Sequence, residues 1–224
     1  MTRGERRAFK AQDEVPGVER LLALSDGVVA IALTLLVLQL DVSTLPRTSD
    51  PGTLAAALWD GAMRDHYTAY VVSFYVVAQF WLAHHRTFRM VRGHHEGLAW
   101  WNFLFLFTIT VMPFTSSLLG HDANNPTAIT VFLLNLLAAS LSTQMVIVYG
   151  RRKHMVDESV DPSYLRTNRV RVLGVATVIC LAIAFAWLAP DWATLTLLLL
   201  LAVPRVSEWS GARARARAVQ GSVH

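Results

Sequence analysis

One stretch constrains this chain more than any other. Arg20 to Leu40 reads R-L-L-A-L-S-D-G-V-V-A-I-A-L-T-L-L-V-L-Q-L. From Leu21 onward it has the ~20 residues that an α-helix rising ~1.5 Å per residue needs to cross a bilayer. It also carries Ser25, Asp26 and Gly27 near its start and Thr34 in its middle. An acidic side chain inside a spanning segment costs at least ~2.5 kcal/mol on insertion scales, so Asp26 needs a partner or a purpose.

The rest of the chain agrees with a membrane setting. Of 224 residues, 54% are hydrophobic and only 16% charged, which excludes an ordinary soluble domain. The polar lead-in of residues 1–20 runs straight into a full-length apolar span without a small-residue cleavage pattern, so no removable signal peptide is expected. Cys180 is the single cysteine, and no intrachain disulfide can form. Apolar runs predict spans over about Leu21–Leu40, Tyr67–His85, Leu98–Leu119, Ala128–Tyr149, Val172–Leu188 and Trp192–Val206. Pro113 is expected to break the third span late. Between the first two, Leu54–Met63 reads as a short interfacial helix anchored by Trp59. The expected fold is therefore all-α: an integral membrane bundle of six transmembrane helices over residues 21–206, with a basic tail at 207–224.

Charge placement sets the orientation. Of the twenty Lys and Arg, only Arg47 and Arg64 fall in loops one, three or five. Arg86, Arg89 and Arg92 lie in the second loop, Arg151, Arg152 and Lys153 open the fourth, and Arg213, Arg215 and Arg217 stud the tail. The positive-inside rule then puts both termini in the cytosol, in agreement with an even number of spans. The basic pI reflects this topology, with anionic membrane lipids as the partner of the tail and no nucleic acid implied.

Topology gives depth to the polar residues. Arg20, Ser25 and Asp26 fall in the cytosolic third of the first span, Trp81, His84 and His85 at the same level of the second, and Asn102 at that level of the third. Buried polar groups in lipid must satisfy one another, so a network of Asp26 with His84 or His85 and Asn102 is expected. It reads either as glue between helices or as a device that fixes or gates the first helix. Adjacent histidines on a helix point ~100° apart and make poor chelates, so no metal and no cofactor are implied. No catalytic motif accompanies Ser25, and the chain does not read as an enzyme.

On a helical wheel with Ile31 at zero, Gly27, Thr34, Leu35 and Leu38 fall within ~60°, while Asp26 lies ~140° away. Two readings of this stripe stand open: an ordinary helix contact, or an apolar constriction around a pore with Thr34 as its one hydroxyl.

Three motifs carry a family likeness. Arg20, Leu24, Ser25, Asp26 and Gly27 make R-x-x-x-L-S-D-G. Trp81, His84, His85 and Arg86 make W-x-x-H-H-R, and Asn102 precedes Pro113 and Phe114. Together they resemble the transmembrane protein 175 family of potassium channels in its prokaryotic six-span form, with Leu24 where the family usually has Phe. The resemblance implies a homotetramer in a bacterial cell membrane, with four copies of the first helix around a central pore. It implies conduction of potassium with sodium less favoured, and no carbonyl filter loop; no T-V-G-Y-G run occurs. It places the pore constriction on Ile31, Leu35 and Leu38, and ion selectivity on Thr34. Against a proton-coupled secondary transporter stands the lack of an acidic residue in the middle of any predicted span. A non-conducting structural membrane protein is the other alternative.

Overall fold

The computed structural model describes residues 3–40, 42–91, 95–156 and 162–189. Among them run six α-helices: α1 (Arg3–Leu35), α2 (Pro51–Leu58), α3 (Gly61–Phe88), α4 (Glu96–His121), α5 (Pro126–Arg152) and α6 (Pro162–Leu188). Leu36–Gln39 continues α1 as a tighter 3₁₀ turn. No strand occurs among the described residues beyond one antiparallel bridge, Val91 to Val156, between the two cytosolic connections. The chain is an all-α, multi-pass membrane bundle, and Gly17–Gln39, α4 and α5 are each long and apolar enough to cross a bilayer.

The helix starts follow from side chains that satisfy the orphan N–H groups of a first turn. Asp50 caps α2, its carboxylate accepting from Thr53 Oγ at 2.6 Å and from the Thr53 N–H at 2.8 Å. The Thr53 hydroxyl first, then the backbone N–H groups, hold the Asp50 carboxyl below the usual carboxylate range. Asp60 accepts from the Gly61 N–H and opens α3. Asn125 accepts from the Thr127 N–H and opens α5, with Pro126 at the first helical position.

These caps explain where the helices depart from the apolar runs. The interfacial helix expected over Leu54–Met63 lies instead at Pro51–Leu58 and stops at Trp59, because Asp60 caps the next helix. The second span, expected over Tyr67–His85, is the middle of the longer α3. The helix expected to break at Pro113 runs unbroken to His121. A helix packed among neighbours tolerates such a proline; just before that turn, Asn135 of α5 donates Nδ2–H to the Thr108 carbonyl at 3.0 Å. Arg20 sits within α1 rather than ahead of it. The expected span Trp192–Val206 and the basic tail lie outside the described residues.

α4 is the hub of the bundle, touching α1, α3 and α5, while α6 packs on α5. Phe105, Ile109 and Met112 of α4 are fully buried against Val29 and Ala32 of α1, Leu36 of the 3₁₀ turn that continues it, and Phe132 and Leu133 of α5. A second, cytosolic cluster joins Leu21 of α1 to Phe88, Val91, Leu98 and Val146. Beside it, His95 caps α4: its Nδ1 accepts from the Gly97 N–H at 3.2 Å and lies 2.7 Å from the Tyr149 hydroxyl.

Gly97 is required by this latch. A Cβ there would collide with the Tyr149 ring. Overpacking of this kind costs ~1–3 kcal/mol. Gly97→Ala is therefore expected to lower the thermal midpoint of the purified protein, and adding Tyr149→Ala should recover part of that loss. An unchanged midpoint in Gly97→Ala would show that the ring gives way freely.

Candidate functional site

The site is the cytosolic half of α1 and the two helices that hold it. Ser25, His84 and Asn102 are all buried. Asn102 Oδ1 lies 2.7 Å from His84 Nε2 and 3.1 Å from Ser25 Oγ, and Ser25 Oγ also reaches the Leu21 carbonyl at 2.7 Å. With Oδ1 as the acceptor, His84 donates through Nε2–H. The His84 ring stacks on Phe105 at 4.3 Å between centroids and tilts against Phe88 at 4.6 Å. One amide oxygen on α4 thus ties α1 to α3.

Asp26 belongs to a different contact. Its Oδ1 accepts from Trp81 Nε1 at 2.7 Å, and the Trp81 ring lies 5.7 Å from that of His85. The expected network of Asp26 with a histidine and Asn102 is thereby corrected. The polar layer forms at the expected depth, but Ser25 takes the link to Asn102 and Asp26 takes Trp81. The reason is helical geometry. Neighbouring residues point ~100° apart, so Ser25 and Asp26 face different partners, as do His84 and His85. His84 turns inward to Asn102, and His85 turns to Trp81. Trp81 is the partner that spacing did not assign. The available signal was its donor-only indole at the depth of Asp26.

Two polar atoms in this layer lack hydrogen bonds within the protomer: Asn102 Nδ2 and His85 Nδ1. Leaving such an atom buried costs about 1–3 kcal/mol, so the layer is not at its energetic optimum.

The opposite side of α1 carries the stripe. Ile31 is 61% exposed, Leu35 42% and Leu38 73%, whereas Val29, Ala32 and Leu36 are buried. Thr34 is exposed on the same side, and its hydroxyl donates to the Ile31 carbonyl at 2.7 Å. That bond uses the only hydroxyl hydrogen and leaves the oxygen's acceptor capacity turned outward. A Cβ at Gly27 would meet nothing within 4 Å. Arg20 is exposed as well, one helical turn and more below Asp26. The stripe and the polar anchor therefore occupy different sides of one helix.

Removing the Asn102 amide tests the anchor. Asn102→Leu strands the His84 ring in an apolar layer while Ser25 keeps the Leu21 carbonyl, and a loss of ~1–3 kcal/mol is expected in unfolding of the purified protein. Trp81→Phe, which frees an exposed carboxylate, is expected to cost less. The reverse order would contradict the assignment.

Comparison with known proteins places this geometry. Residues 20–113 match the family described as endosomal/lysosomal potassium channel TMEM175. That range holds α1 from Arg20 onward, its stripe and all the polar anchor residues. A potassium channel of Streptomyces collinus is 36% identical over 157 residues, which are 68% of this chain and 74% of the relative. A potassium channel of a Chryseobacterium strain is 29% identical over 77% of this chain and 93% of its own. The endosomal/lysosomal proton channel TMEM175 of Danio rerio is 23% identical over 84% of this chain and 37% of its own. The crystal structure of a lysosomal potassium-selective channel TMEM175 homologue from Chamaesiphon minutus superposes with a TM-score of 0.68 at 25% identity, over 85% of this chain and 97% of that one. With its three motifs on the helices that build the anchor, the chain belongs to the TMEM175 family of cation channels.

Proposed function

We propose that this chain forms a potassium-preferring channel, a homotetramer in the bacterial cell membrane whose central pore is lined by α1. The observation that carries the reading is the division of α1 into two sides. One side is pinned to α3 and α4 through Ser25 and Asp26 and buries Val29, Ala32 and Leu36. The other presents Gly27, Ile31, Thr34, Leu35 and Leu38 outward, each of them exposed. A single protomer has one such stripe, so a closed conduit requires several copies about an axis, which cyclic symmetry supplies. The open space beside Gly27 suits close approach of a second copy.

In that arrangement Ile31 forms the narrowest apolar ring, with Leu35 and Leu38 continuing it outward. A hydrated cation does not cross a narrow apolar ring without losing water, so the ring closes the path by dewetting. Thr34 contributes selectivity. Its hydroxyl hydrogen is committed to the Ile31 carbonyl, so its oxygen faces the path as a donor of lone pairs to a partly dehydrated cation. The Ser25–Asn102–His84 anchor sets the rotation of α1 and hence the direction of the stripe. Arg20 at the cytosolic entrance pairs with lipid phosphate or with a neighbouring copy. The named bacterial relatives supply the choice of potassium.

Flux from liposomes tests the reading: potassium gradients are expected to drive faster flux than sodium gradients, and no flux in either would support a non-conducting protein. Ile31→Asn is expected to raise basal conductance, because a polar ring stays wetted; unchanged conductance would remove Ile31 from the gate. Thr34→Ala should lower the potassium preference by roughly fivefold, the equivalent of one ~1 kcal/mol oxygen contact. A reversal potential unshifted under bi-ionic conditions would remove Thr34 from selectivity.

A further inference from the structure

α2 is a helix with no buried side chain. Eight residues do not hold a helix in water, where isolated helices shorter than ~12–15 residues are marginal even in favourable sequences. The Asp50 cap helps at one end only. Nor is α2 a polar surface helix: from Pro51 to Trp59 there is no charged side chain. Leu54, Ala55 and Leu58 share one side by their spacing. Trp59 follows, 81% exposed, with its ring 6.3 Å from Tyr67 at a tilt of 55°. In the orientation set by the loop arginines, α2 lies in the connection at the outer end of the first span. Arg64, one of the two basic residues of this connection, is exposed in the first turn of α3.

We propose that α2 is a lipid-binding foot that lies in the outer leaflet at the boundary between headgroups and acyl chains. The Leu54–Ala55–Leu58 side rests on the acyl chains. Trp59 sits at the boundary, where an amphipathic indole is most stable, and Arg64 reaches the lipid phosphates. The described residues cover this side only in part: Leu54 is exposed and Leu58 half-buried. Leu54 and Leu58 carry that side, and no charged or hydrogen-bonding side chain interrupts it. Acyl chains conform to such a face, and water would leave it exposed at a cost. Asp50 and Asp60, at the two ends, keep their carboxylates on caps at the polar margin.

A nitroxide on Ala55→Cys, in a Cys180→Ala background reconstituted in liposomes, tests this. Collisions with molecular oxygen are expected to exceed those with a water-soluble nickel chelate, at a depth of ~5–10 Å below the headgroup surface. Nickel collisions in excess would place α2 in an aqueous vestibule. A rigid label shielded from both probes would place it against a second copy. Either result overturns the proposal. Independently, lipids brominated near the headgroup end of the acyl chain are expected to quench a larger fraction of the fluorescence of the wild type than of Trp59→Phe; equal fractions would overturn it as well.

Discussion

A bilayer core offers no hydrogen-bond partners, so a polar residue on a spanning helix fixes that helix to whichever neighbour satisfies it. Ser25 and Asp26 impose this on α1. Asn102 receives Ser25 and His84 on one amide oxygen, and Trp81 holds Asp26. Pairs of adjacent residues, each split by the helical turn, bind α1 to two helices at once and leave it one rotational setting. Everything that faces outward from α1 does so because this layer faces inward.

Apolar packing on both sides of the layer reinforces that setting. Above the polar layer, Val29, Ala32 and Leu36 interlock with fully buried Phe105, Ile109 and Met112. Below it, Leu21 joins the cytosolic cluster and the His95–Tyr149 latch. Between these apolar blocks, Asn102 Nδ2 and His85 Nδ1 remain unpaired in the protomer.

Much of this was legible in the sequence, for physical reasons. Long apolar runs announce spanning helices, loop arginines announce their direction, and a period of 3.6 residues places Ile31, Thr34, Leu35 and Leu38 on one side of α1. The depth of the polar layer followed from topology. What periodicity does not encode is pairing across the bundle. It gave the layer but not the choice of Trp81 for Asp26, nor the His95–Tyr149 contact between residues 54 positions apart. Helix ends were set by caps that lie outside the apolar runs, as Asp60 shows for α3. Pro113 misled because its local effect is a break, whereas α4, packed between α3 and α5, runs through it.

The central claim is that Ile31 side chains from several copies face one another across a shared ion path. Silver ions follow potassium through aqueous pores and bind thiols irreversibly. The direct measurement is therefore silver block of potassium flux in Ile31→Cys and Ala32→Cys proteins lacking Cys180. The expected result is rapid, lasting block of Ile31→Cys and none of Ala32→Cys, whose side chain is buried against the protomer. Block at Ala32 with Ile31 spared, or flux indifferent to silver at both, would contradict a pore lined by this stripe.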